Sequence, residues 1–147
     1  MTIDEILEAW DKDAELSNTN MDRDSIVTAK LHSKYLAAIT KAKLKLKQAE
    51  FTMAELKKKK WLWFNGKLSP QEVQDLGWPH DPFNGLKVLK SDMALFFDSD
   101  SDIIEHQKII DYHKTRIELL DEIINTLRWR HNTIRNIIEW RKFESGA

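Results

Sequence analysis

Glycine and proline are confined to one short window of this chain, and that confinement limits its fold more than any other feature. Three of the four glycines and all three prolines lie between Gly66 and Gly85. The stretch from Asp102 to Phe143 contains neither. These two residue types are the principal interrupters of helices, glycine through backbone entropy and proline through its missing N–H. The chain therefore reads as all-α, with long helices flanking an irregular Gly/Pro-rich insert at 65–85.

Periodicity supplies the elements. Thr2-Ile3-Asp4-Glu5 fits a capping box, and Ile3, Ile6, Leu7 and Trp10 form one apolar face of a short first helix. Ser17-Asn18-Thr19-Asn20 reads as a loop. A second helix is expected to begin between Asp22 and Ser25 and to run to about Lys60. Leu31, Tyr35, Ala38, Ala42, Leu46, Ala49, Met53 and Leu56 recur along it at steps of three and four, one continuous stripe. Within the insert, Ser69-Pro70-Gln71-Glu72 combines a cap, a first-turn proline and a capping-box glutamate, and Gly77 is a fitting stop. Trp78 to Gly85 reads as a turn-rich loop, and Leu86 to Phe97 suits a helix slightly better than a strand.

Asp102, with Glu105 three residues on, reads as the start of a C-terminal helix of about 40 residues, which at 1.5 Å per residue spans about 60 Å. Ile103, Ile110, Ile117, Leu120, Ile124, Leu127, Ile134 and Ile138 form its seam, with His106, His113 and His131 in the remaining positions. A second row, Ile109, Ile123 and Ile137, widens the stripe beyond a two-stranded coiled coil. Such a helix looks too long for the rest of the chain to cover, so the seam is expected to oligomerise as a bundle or ring. The chain is read as one domain, 1–147, with N-terminal and basic helices at 1–64. The insert and short elements occupy 65–101, and the oligomerisation helix 102–147.

Charge is strongly segregated behind a net −1. Residues 26–67 carry eleven lysines against two glutamates, a block of +9, between blocks of −6 at 1–25 and −6 at 68–105. Such blocks create local fields suited to a polyanion. There is no cysteine, which excludes disulfides and thiolate metal sites. No apolar run approaches the length of a membrane span, and the acidic N-terminus lacks a signal peptide's regions. A cytoplasmic protein is expected.

The strongest local chemistry is Lys57-Lys58-Lys59-Lys60-Trp61-Leu62-Trp63-Phe64-Asn65-Gly66-Lys67. Lysines release counterions from phosphates, and exposed aromatic rings stack on bases of any sequence. The lysines read as a DNA-binding track, with Trp61, Trp63 and Phe64 as possible stacking groups. Core packing is the better reading of the tryptophans, because large aromatics usually pack inside. Lys41, Lys43, Lys45 and Lys47 either extend the track or form an ordinary solvated face. The histidines lack metal or catalytic spacing: His106 and His113 stand about 10 Å apart along a helix. No Gly-x-x-x-x-Gly-Lys-Ser/Thr loop occurs. The chain reads as non-enzymatic, without cofactor or metal. Trp129, Trp140 and Phe143 are candidate partner anchors.

The ending Ile134-Arg135-Asn136-x-Ile138-x-Trp140-x-Lys142-Phe143-x-x-Gly146 resembles that of the UvsY recombination mediators of T-even-type phages. The likeness covers Arg130 to Gly146 firmly and Lys57 to Gly66 more loosely, where a basic helix end leads into aromatics and a glycine. Leu89-Lys90-Ser91-Asp92 with the acidic run Asp98 to Asp102 gives a weaker echo, and the insert from Leu68 to Gly85 looks peculiar to this chain. The resemblance implies a single-stranded-DNA-binding mediator that helps a RecA-like recombinase displace the single-strand-binding protein. It further implies a cyclic homo-oligomer of about six or seven subunits, with Lys58 and Lys60 contacting DNA and the C-terminal helix driving assembly. The residues alone leave two rivals open: a helical oligomeric scaffold with merely solvated lysines, and an adaptor touching only proteins through its acidic blocks.

Overall fold

The computed structural model describes residues 1–17 and 20–146. It contains α1 (Ile3–Asp13), α2 (Met21–Phe64), α3 (Pro70–Leu76), a 3-10 turn (Lys90–Asp92), α4 (Met93–Asp98) and α5 (Ser101–Glu144), with no strand among the described residues. The all-α expectation holds. Two compact units emerge, one of residues 1–45 with 113–147 and one of 46–112.

Local signals set several of the boundaries. Thr2 accepts from the Glu5 N–H while Glu5 accepts from the Thr2 N–H, the expected capping box. Ser69 and Glu72 repeat it at α3, which stops at Gly77 in the left-handed region at φ +71°. Leu86 to Phe97 resolves into an irregular lead, the 3-10 turn and α4. Two limits of α2 differ from expectation. Asn20 accepts from the Arg23 N–H, so the helix starts at Met21. It also continues one turn past Lys60, because nothing before Gly66 (φ +66°) breaks it. The α5 cap is Asp100 rather than Asp102: its Oδ1 accepts from the Asp102 and Ile103 N–H groups at 3.0 and 3.1 Å. Of the loop read at 17–20, Asn18 and Thr19 lie outside the described residues.

In the first unit, α1 packs on the antiparallel early part of α2 and late part of α5. Its core comprises Ile6, Leu31, Tyr35, Ile39, Ala42, Leu120, Ile123, Ile124 and Leu127. Leu7, expected on the buried face of α1, is exposed. Arg130 is buried and donates to the carbonyls of Asp13, Ala14 and Glu15, satisfying the C-terminal end of α1. Tyr35 and Lys34 both donate to Asp13 Oδ2, at 2.8 and 2.6 Å.

The seam of α5 requires a correction. Ile103 and Ile110 are buried in the second unit, and Leu120, Ile124, Leu127 and Ile134 in the first, all by this chain's own residues. Ile117 packs partly against the first core and Ile138 is half-buried. The expectation that the remaining chain could not cover this seam failed because α2 is as long as α5, 44 residues each. The stripe on α2 is its complement. The large apolar residues α5 leaves exposed are Ile104, Ile109, Tyr112, Trp129, Trp140 and Phe143.

A pH dependence follows for the first unit. Burial, then the nearby Arg116 and Lys45 charges, hold His113 below its ordinary 6.5. The unfolded chain takes up that proton more readily, so stability should decline as pH falls through about 6.5. Burial pulls Asp13 upward, but hydrogen bonds from Lys34 and Tyr35 and the Lys34 and Arg130 charges outweigh it and hold the carboxyl low. That contribution is present above the ordinary carboxylate range and lost at still lower pH. Urea midpoints between pH 8 and 4 should therefore fall monotonically toward acid; a midpoint that rises from pH 7 to 6 would contradict the His113 assignment.

Candidate nucleic-acid interface

The basic-aromatic segment occupies the last two turns of α2 and the turn after it. Its register decides which side chains meet solvent. Ala49 and Met53 are buried and Leu56 half-buried, and the same stripe continues through Lys60, Trp63 and Phe64. Lys57, Lys58, Lys59 and Trp61 are exposed; Lys57 and Lys58 share a flank with Trp61 at spacings of four and three, and Lys59 projects from the other side of the helix.

Lys60 is therefore not a surface lysine. It is 2% exposed, and its Nζ lies 2.7 Å from Asp102 Oδ2 and 3.0 Å from Asp100 Oδ2. It also sits 4.0 Å from the Trp78 ring centroid and 4.7 Å from that of Trp63. Two carboxylates and two aromatic faces together offset the desolvation of a buried ammonium. The position that the family resemblance assigned to DNA is thus committed to fastening the end of α2 to the start of α5 within the second unit.

Trp63 and Phe64 are buried too, in a cluster with Val73. Trp78 and Phe83, both supplied by the insert, lie 5.1 Å from the Trp63 ring and 5.6 Å from the Phe64 ring respectively. The Trp63 Nε1–H donates to the Pro79 carbonyl at 3.0 Å, which satisfies the indole's polar atom. The insert that looked merely irregular is the packing partner of these aromatics. Core packing, the favoured reading of the tryptophans, describes Trp63, while Trp61 is 49% exposed.

The rest of the segment is open to solvent. Lys57, Lys58 and Lys59 are solvent-facing, and none forms an ion pair among the described residues. The Nζ of Lys67, placed by the Gly66 turn, stands 5.0 Å from the Trp61 ring centroid. Trp61 also borders an open pocket of about 420 Å³, whose polar members include Asn65, Lys90 and Asp98. Cations beside an exposed ring make a surface suited to phosphates and unstacked bases. Among the described residues no His, Asp and Glu cluster could hold a metal ion. No helix among them is long and apolar enough to cross a membrane.

Against this geometry, comparison with known proteins gives a consistent result. The model of a family described as "Recombination, repair and ssDNA binding protein UvsY" matches residues 9–147. The chain belongs to the UvsY family. Two crystal structures of the bacteriophage T4 recombination mediator protein UvsY are similar in fold. The lattice type II structure is 19% identical, with a TM-score of 0.83 over 99% of this chain and 98% of that one. The lattice type IV structure is 16% identical, with a TM-score of 0.78 over 98% and 99%. A search of curated proteins gave no match. At these identities the likeness establishes the UvsY fold, and residue roles rest on the local chemistry above.

Proposed function

We propose that this protein binds single-stranded DNA through Lys57, Lys58, Lys59 and Lys67, with Trp61 stacking on a base. In that role it helps a RecA-like recombinase load onto DNA covered by single-strand-binding protein. The observation that carries the reading is the set of exposed lysines without ion pairs around the end of α2, with Lys67 beside an exposed tryptophan, in a chain of the UvsY family. Lys60, Trp63 and Phe64 act by holding that surface in place. Assembly into a cyclic homo-oligomer multiplies weak sites by effective concentration. We assign its contact to the exposed aromatic row of α5, where Trp140 and Phe143 stack at 5.7 Å and Trp129 lies on the same helix.

Replacing Lys57, Lys58, Lys59 and Lys67 together by alanine should weaken binding to an oligonucleotide. It should also reduce the log–log salt slope, by about 0.7 for each phosphate that is no longer neutralised. Trp61→Ala should cost about 1–3 kcal/mol in binding while leaving thermal unfolding unchanged. Fluorescence titrations across a salt series measure both. Binding insensitive to all five substitutions would overturn this assignment of the interface, and no salt-sensitive oligonucleotide binding at all would favour the rival reading, a helical scaffold or protein-only adaptor.

A further inference from the structure

A second cationic site lies in the first unit, at a pocket of about 370 Å³. Ile6 and Leu120 are among its apolar lining, and Lys34, Lys41, Lys45 and Arg116 surround it without any lining carboxylate. Lys34 is already paired with Asp13. Arg116 is not so provided for: it is 6% exposed, donates from Nη1 to the Met1 carbonyl at 3.0 Å, and forms no ion pair among the described residues. Its Nε, shielded from solvent, has no hydrogen-bond partner among the described residues. A guanidinium keeps its charge at any physiological pH, so burying one without an anion is costly. The resulting positive field is felt by His113, which burial and then Arg116 and Lys45 hold below its ordinary value.

We propose that this pocket is a second phosphate site, in which Arg116, Lys41 and Lys45 hold a phosphate of single-stranded DNA against the apolar floor. The inference rests on the DNA-binding reading and adds a contact independent of Lys57–Lys59 and Lys67. One feature favours a nucleic-acid phosphate over a peptide carboxylate. No acidic residue occurs on α2 between Ile26 and Ala49, so apart from Lys34, paired with Asp13, its lysines there meet no acid on their own helix, and counterion release rewards a polyphosphate chain along them.

The test uses the full chain and the His113 imidazole as a reporter followed by NMR pH titration. A phosphate in the pocket neutralises the cations that depress His113, so a saturating oligothymidylate should raise its titration midpoint. K41Q with K45Q, both exposed positions, should weaken oligonucleotide binding several-fold, shrink the His113 response and leave thermal unfolding unchanged. The same pair added to the Lys57, Lys58, Lys59 and Lys67 alanine variant should remove its residual binding. Oligonucleotide that binds without moving His113 overturns the pocket and leaves the first interface standing. Absence of any oligonucleotide binding overturns both readings. A response to polyglutamate as large as that to the oligonucleotide overturns the phosphate assignment in favour of an acidic protein partner.

Discussion

Lys60→Ala is expected to lower the unfolding free energy by about 3–5 kcal/mol, far more than alanine at Lys57, Lys58 or Lys59. The four lysines are adjacent in sequence but not in environment. Removing the Lys60 ammonium leaves Asp100, whose side chain is 8% exposed, as a buried carboxylate without its cation. It also removes the cation–π interactions with Trp63 and Trp78. The three exposed neighbours should each change stability by no more than about 0.5 kcal/mol. Asp100→Asn keeps the Oδ1 acceptor that caps α5 while discharging the partner, so Lys60→Ala with Asp100→Asn should recover part of the loss. Urea denaturation of the four proteins completes the cycle. A Lys60→Ala variant with native stability and reduced DNA affinity would return Lys60 to the binding surface.

Ile124→Asp should be comparably severe, and for a reason opposite to the one the sequence implied. Ile124 is 3% exposed within the first unit's core, beside Leu120 and Leu127. An unpaired carboxylate there must be desolvated or protonated, a cost of about 4 kcal/mol or more. The expected result is unfolding of that unit, visible as lost ellipticity and lost amide protection. It is not clean release of folded subunits. Trp140→Ala and Phe143→Ala, on the exposed row, should instead reduce sedimenting mass while leaving helicity intact. A folded, soluble monomer from Ile124→Asp would show that the seam faces another subunit after all.

The sequence was most legible where four neighbouring residues suffice. Both capping boxes and the Gly77 stop are local hydrogen-bonding problems, and they appear as read. The length of α5 was legible for a similar reason, since helix interruption is local. What covers α5 was not, because its seam and the α2 stripe had to be recognised as two halves of one core. Lys60 was misread by composition: four consecutive lysines look alike until the stripe through Ala49, Met53 and Leu56 is stepped forward to position 60. That signal was present. The choice of Asp100 over Asp102 as cap was not legible, because both aspartates stand within three residues of Ile103 and either could accept from the first-turn N–H groups. Nor could spacing show that Trp78 and Phe83 would close over Trp63 and Phe64.

The clamps at Lys60 and Arg130 also order the folding reaction in time. Lys60 meets Asp102 across 42 residues and His106 meets the Ala49 carbonyl across 57, whereas Arg130 reaches Asp13 across 117. Loop-closure entropy makes the last of these roughly 1 kcal/mol harder to initiate than the first. Once residues 46–112 have closed, the effective loop between positions 45 and 113 is short, and the outer halves of α2 and α5 can zip together. Helix α1 should then be the last of these helices to dock. Pulse-labelled hydrogen exchange should find Met53 and Ile103 amides protected ahead of those around Ile6, and the reverse order would refute this sequence of events.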